Sequence, residues 1–172
     1  QGRLSPVWTR LTFSGGLNPP LNEVSFNDKP VKQECFSRDG VPPEIIYGAN
    51  RADLDEGLKE FIESMKEQGY KSICILCKSL KESAALYSRI KNSTDVVLMD
   101  DTFITELSGT FIIPIYMAKG LEFDAVLVYD VDDTHYRSAD DKKLLYIAST
   151  RALHRLALFY MGKQSRFLIE SE

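Results

Sequence analysis

The chain has 172 residues, of which 44% are hydrophobic and 27% charged, with a formal net charge of −4. That is enough for one domain with a real core and an ordinary soluble composition. The acidic balance argues against a domain that grips duplex nucleic acid unaided, because such a domain is usually basic, so any such contact must be local or shared with a partner. No run reaches about 18 apolar residues, which excludes a transmembrane helix. No signal-peptide pattern opens the chain, and the expected compartment is the cytoplasm.

Residues 1–30 read as an irregular N-terminal segment and residues 31–172 as one lobe. In the first, apolar residues are scattered and Gly15-Gly16 and Pro19-Pro20 punctuate them. Trp8 is better explained as a packing anchor than as a base-stacking platform. Val31 to Phe36 predicts a short strand, turned at Arg38-Asp39-Gly40 and returned at Glu44 to Tyr47. Leu54, Leu58, Phe61, Ile62 and Met65 recur at helical spacing, with Asn50 or Asp53 as N-cap and Gly69 at the end. Lys71 to Cys77 predicts a buried strand. Ser79 caps the next helix, Leu80 to Lys91, with Leu80, Ala84, Tyr87 and Ile90 inward. Asp95 to Met99 predicts another strand, so strand, helix, strand suggests a right-handed parallel crossover, whose ligands bind beyond the carboxyl ends of strands. Lys78 stands at such an end, although an exposed lysine after a strand explains it equally well.

Cys35, Cys74 and Cys77 are odd in number, and the only histidines are His135 and His154. With no second cysteine pair, Cys74-x-x-Cys77 reads as structural thiols in a reducing compartment rather than zinc ligands or a redox pair.

The stretch Gly109 to Phe159 organises the rest. An apolar run, Phe111 to Tyr116, leads into Ala118-Lys119-Gly120-Leu121-Glu122-Phe123. A second run spans Ala125 to Tyr129. After an acidic connector come a helical pattern, Leu144 to Leu153, and a third run, Arg155 to Tyr160. Ser138 is the expected N-cap of that helix, with acidic residues in its first turn. This alternation predicts a sheet covered by helices. The tail around Phe167-Leu168-Ile169 is a short closing strand or helix.

Lys119 and Glu122 flank Gly120, where backbone can approach a ligand closely. Helical stepping from Leu144 places Ile147, Ala148 and Arg151 on one face, so an arginine ends an apolar stripe. Either the guanidinium snorkels past the core or pairs with a carboxylate, or it is a fixed cation aimed at a phosphate. Spacing alone leaves both open. Asp100-Asp101 and Asp130-Val131-Asp132-Asp133 follow apolar runs as magnesium-holding aspartates do, but acidic loop caps explain them better.

Ala118-Lys119-Gly120-Leu121-Glu122-Phe123-Asp124 resembles motif V of the UvrD-like superfamily 1 helicases, and Leu145-Tyr146-Ile147-Ala148-Ser149-Thr150-Arg151-Ala152 resembles their motif VI. Tyr116, where many members carry histidine, and the pattern Arg151-Ala152-Leu153-His154-Arg155-Leu156 look more like the HelD, or helicase IV-like, branch. Detailed resemblance runs from about Lys71 to Phe159. It implies an α/β, RecA-like (P-loop NTPase-type) three-layer sandwich with a mostly parallel sheet, here lacking its own P-loop, since no Gly-x-x-x-x-Gly-Lys-Ser/Thr occurs. It further implies that ATP and Mg2+ are held mainly by a preceding N-terminal RecA-like lobe, absent from this sequence. Arg151 would be an arginine finger on the γ-phosphate. Lys119, Gly120 and Glu122 would contact ATP, with Glu122 on the ribose, and Tyr146 and Thr150 would support the finger or couple it to motion. Tyr116 and Ala118 mark the lip where nucleic acid would touch. A family motif IV arginine in an Asn-Tyr-Arg-Ser context is not found. The chain is therefore expected to be the C-terminal piece of a longer ATPase, inactive alone.

Three functions compete: a DNA helicase or translocase lobe acting on single-stranded DNA, a HelD-type ATPase that remodels or recycles RNA polymerase, and a nucleotide-independent interaction module. Lys119, Glu122 and Arg151 occurring together argue against the third.

Overall fold

A computed structural model describes residues 43–99 and 107–168 with their side chains, and the backbone of 2–3, 11–13 and 169–170. Trp8, Cys35, the expected strand Val31 to Phe36 and the pair Asp100-Asp101 lie outside the described residues.

In chain order the strands are β1 (Gly2–Arg3), β2 (Leu11–Phe13), β3 (Glu44–Gly48), β4 (Ser72–Cys77), β5 (Val97–Leu98), β6 (Gly109–Pro114), β7 (Phe123–Val128), β8 (Ala152–Met161) and β9 (Leu168–Glu170). Among the described residues the helices are α1 (Arg51–Glu67), α2 (Leu80–Ile90) and α3 (Ala139–Ser149), with a 3-10 turn at Ile115–Met117. The main sheet runs β1-β3-β8-β7-β4-β6-β5, and β2 pairs with β9 separately. Every neighbouring pair of the main sheet is parallel except β1 with β3. A parallel sheet needs both faces covered, and its inner strands then read as continuous apolar runs. All six residues of β4 are buried.

Alternation along β4 splits the core into two layers. Ile73, Ile75 and Cys77 face α1 and α2, packing with Leu54, Leu58, Phe61, Ile62, Met65, Leu86 and Ile90. Cys74 and Leu76 face α3, packing with Leu145, Ala148, Ile115 and Phe123. The two cysteines therefore lie on opposite sides of the sheet as free, buried thiols. Burial pushes the Cys77 thiol up to about 12, which suits structural packing and not metal or redox chemistry.

The ends of α1 follow from sequence. Asn50 accepts from the Asp53 amide. Gly69, at φ +88, closes the helix, with its amide on Lys66 O and the Tyr70 amide on Met65 O, a Schellman ending. The phase of α2 differs from expectation. Ser83, Leu86 and Ile90 face inward, and Leu80 is 44% exposed. Ser83 tolerates burial because its hydroxyl donates to the Ser79 carbonyl. The tail forms strand β9 and braces the connector after β7: the Ser165 amide donates to Val131 O, and Arg166 pairs with Asp133 at 2.9 Å.

Candidate functional site

Strands β6, β4 and β7 are mutually parallel, so residues 115–122 must carry the chain back from the carboxyl edge of the sheet to its amino edge. They do so across the α3 face, where Ile115 and Ala118 are fully buried. Gly120 adopts φ +82, and the preceding turn closes with Leu121 N on Ala118 O at 3.0 Å. A Cβ at Gly120 would meet nothing within 4 Å. The glycine is needed for its left-handed backbone, not for space within this lobe. Lys119, Gly120 and Glu122 are left exposed beside it.

The other half comes from α3, which runs toward the same edge. The helix ends at Ser149, so Arg151 lies in the turn before β8 and not on the helical stripe expected from spacing. Its amide donates to Ala148 O at 3.2 Å, and its carbonyl accepts from the Phe123 amide at 2.9 Å. Nη1 approaches Leu121 O at 3.4 Å, and Nη2 donates to the Thr150 hydroxyl at 3.1 Å. Thr150 in turn donates to Ile147 O at 2.8 Å. The Arg151 Nε is buried without an acceptor. Among the described residues no carboxylate is within ion-pairing distance of Arg151. A guanidinium stays charged, and a buried donor left unmade costs on the order of 1–3 kcal/mol. The side chain is thus a half-buried cation with unspent donor capacity, resting on the 119–122 loop.

Tyr146, half-buried on α3, offers its carbonyl to the Thr150 amide at 3.1 Å. Tyr116 is 58% exposed on the 3-10 turn. Ala118 is different: its side chain is fully buried, its amide donates to Ile115 O and its carbonyl accepts from Leu121. Of the two lip residues, Tyr116 alone presents a free surface, because Ala118 is consumed in packing and turn formation.

A residue that sequence reasoning passed over lies beside this loop. Asp124 stands between Phe123 and Ala125 in an otherwise apolar strand, where aspartate is disfavoured. Its carboxylate accepts from the amides of Lys71 at 2.9 Å and Ser72 at 3.1 Å, and its own amide donates to the Ser72 hydroxyl at 2.8 Å. Burial opposes ionisation, yet these backbone donors hold the carboxyl below its usual range. The misplaced polarity was the signal.

At the carboxyl edge the described charged residues pair with one another. Lys78 is not a free surface lysine: it pairs with Asp141 at 2.8 Å, donates to the His135 carbonyl and lies 5.8 Å over the Tyr136 ring. Asp130, at φ +59, pairs with Arg51 at 2.6 Å. Asp132 accepts from Thr134 and from the His135 amide. Glu82 and Asp132 grip the His135 ring at 3.0 and 2.8 Å. The connector aspartates thus act as loop caps and ion-pair partners. Lys119, Glu122 and Arg151 instead lie toward the amino edge, because residues 115–122 return the chain and α3 runs against the strands.

Residues 109–159, from the start of β6 almost to the end of β8, match the UvrD-like helicase C-terminal domain family. No curated protein matches the chain significantly. Among solved structures, the C-terminal domain of a possible DNA helicase from Lactobacillus plantarum WCFS1 is similar, with 28% identity and a TM-score of 0.71, over 81% of this chain and 86% of that one. The C-terminal domain of the DEAD-box protein Dbp5 aligns with 17% identity and a TM-score of 0.47, over 70% of this chain and 77% of that one. The mostly parallel, two-sided α/β sheet is that of RecA-like helicase C-terminal domains, and the loop and turn that meet at its amino edge fall inside the matched UvrD-like segment.

Proposed function

We propose that this chain is the C-terminal motor lobe of an ATP-dependent DNA helicase or translocase, completing a nucleotide site whose P-loop, ATP and Mg2+ are held mainly by an N-terminal RecA-like lobe. The observation that carries this reading is Arg151: a half-buried guanidinium with an unpartnered Nε, resting on the motif V loop through Leu121 O. Phosphoryl transfer depends chiefly on positioning and charge stabilisation. Arg151 is the arginine finger that meets charge developing on the γ-phosphoryl oxygens. Lys119 approaches the same phosphates, Glu122 takes the ribose, and Gly120 gives the turn between them. Thr150 and Tyr146 hold the finger, and hydrolysis opens and closes the cleft between lobes. Tyr116 is placed to meet single-stranded nucleic acid at the lip.

The test is Arg151→Ala in the full-length protein. The expected loss is about 10³-fold or more in ATP turnover with the fold intact; an unchanged rate removes the finger. The isolated chain is expected to hydrolyse no ATP.

A second reading, a HelD-type ATPase that remodels or recycles RNA polymerase, is supported by Tyr116 and the Arg151-Ala152-Leu153-His154-Arg155-Leu156 pattern. Stimulation of the full-length ATPase by RNA polymerase but not by single-stranded DNA selects it; the converse selects the helicase.

A further inference from the structure

We infer that Asp124 is a positioning residue for the nucleotide-facing loop, acting through Glu122 and the Leu121 carbonyl; the inference rests on the motor-lobe reading above. A charged residue at the start of a central strand is costly unless it is fully hydrogen-bonded. Asp124 offsets that cost by reaching sideways to β4: one carboxylate oxygen accepts both the Lys71 and Ser72 amides, and Ser72 returns its hydroxyl to the Asp124 amide. The reciprocal pair fixes the height at which β7 begins relative to β4.

On the other side of β7 the register is irregular. Phe123 faces Ala152 and Ala125 faces Arg155, so β8 carries one more residue than β7 opposite Asp124. Bulges re-aim neighbouring side chains and gather near functional sites. This one lies between Ala152 and Arg155, just past Arg151, and its His154 sits 3.9 Å from the Asp124 carboxylate. The extra residue interrupts the β7–β8 ladder just past the Phe123–Ala152 pair, and the tie from Asp124 to β4 holds β7 from its other side at that point. Only Phe123 separates Asp124 from Glu122, and Phe123 is fully buried with its amide on Arg151 O. Glu122 is exposed, and the backbone at 123–124 sets where its side chain leaves the loop and the direction in which it starts out.

The experiment uses the full-length protein and reads the ATP KM and kcat, with melting temperature alongside, for Glu122→Ala, Asp124→Ala, the double variant, Asp124→Asn and the remote core variant Leu86→Ala. The expected result is a KM raised about tenfold by Glu122→Ala and nearly as much by Asp124→Ala, with no further rise in the double variant. Asp124→Asn, which keeps an acceptor oxygen, restores most of the affinity. Leu86→Ala lowers the melting temperature and leaves KM unchanged, which separates positioning from simple loss of stability. If Asp124→Ala does not fold, Asp124→Thr, a good strand former with a shorter reach, takes its place in the cycle. A normal KM in the Asp124 variant beside a raised KM in Glu122→Ala overturns the positioning role alone, as does a double variant in which the two effects multiply. A normal KM in Glu122→Ala overturns the nucleotide-pocket reading itself.

Discussion

The Phe123 amide donates to the Arg151 carbonyl at 2.9 Å, so the loop before β7 and the cation before β8 are joined through backbone before any side chain is considered. Two segments separated by a connector and a helix in sequence become one surface because their strands pair in parallel, with Phe123 opposite Ala152. The guanidinium then folds back over Leu121. Movement of either segment has to move the other.

Thr150 is the side chain that shapes this cation. Its hydroxyl bonds the Ile147 carbonyl on one side and Arg151 Nη2 on the other. Thr150→Val keeps the β-branched shape and removes both bonds. The fold is expected to survive, since the helix end retains its backbone bonds from Thr150 N and Arg151 N. On the motor-lobe proposal, ATP turnover by the full-length protein should fall about tenfold, the equivalent of roughly one ordinary hydrogen bond. Steady-state kinetics and far-UV circular dichroism on the same preparation check it. A fall as large as that of Arg151→Ala would mean that the threonine does more than orient the arginine.

Two glycines separate close approach from mere permission. A Cβ on Gly48 would lie 2.7 Å from the Leu54 amide nitrogen and 2.8 Å from its Cα, whereas one on Gly57 would meet only Ile46 Cγ2 at 3.7 Å. The first obstacle is backbone and cannot swing aside, because α1 starts directly over the end of β3. Gly48→Ala should therefore destabilise by about 1–3 kcal/mol, as overpacking does. Gly57→Ala, inside α1, should stabilise by about 0.5–1 kcal/mol through helix propensity and a less flexible unfolded chain. Denaturant midpoints for the two variants should move in opposite directions.

The apolar runs made the layered architecture legible: β4, β6, β7 and β8 fall where continuous hydrophobic stretches stand, and Asn50, Gly69, Ser79 and Ser138 bound their helices as local chemistry requires. What one strand or helix cannot reveal is what it will lie beside. Helical stepping put Arg151 on the face of α3, but the helix ends at Ser149, and the guanidinium meets Thr150 and the Leu121 carbonyl in the loop before β7 instead. Ala118, matched to its motif as a nucleic-acid contact, has its side chain in the core, since the return path of residues 115–122 lies against α3. Lys78 could equally be a free lysine in one dimension and is cross-linked in three, while the connector aspartates, read as loop caps, also form ion pairs. Asp124 gave a visible signal, polarity in an apolar run, but only the pairing with Ser72 tells what the polarity is for.

His135 gives the lobe a defined response to pH. Its ring bridges Glu82, in the first turn of α2, and Asp132 in the connector at 3.0 and 2.8 Å, while its carbonyl accepts from Lys78, and Asp130 adds negative charge nearby. The bond to Glu82 and then that to Asp132 outweigh burial and raise the imidazole to about 9. An imidazole in the unfolded chain titrates near 6.5. Between those values the folded state holds a proton that the unfolded state has released, so stability falls as pH rises. The contribution is complete below about pH 6.5 and disappears as pH climbs through about 9. The carboxylate partners act in the opposite direction at the acid end. The bond from His135 holds Glu82 down, and bonds from Thr134 and His135 hold Asp132 down against burial, so their share is lost as pH drops through the acid range. Melting temperature followed from pH 4 to 10 should therefore decline on both flanks. In His135→Gln the alkaline decline between pH 7 and 9 should flatten, because the titrating group is gone while an amide can still reach one carboxylate. An alkaline slope that persists unchanged in that variant would place the responsible proton elsewhere.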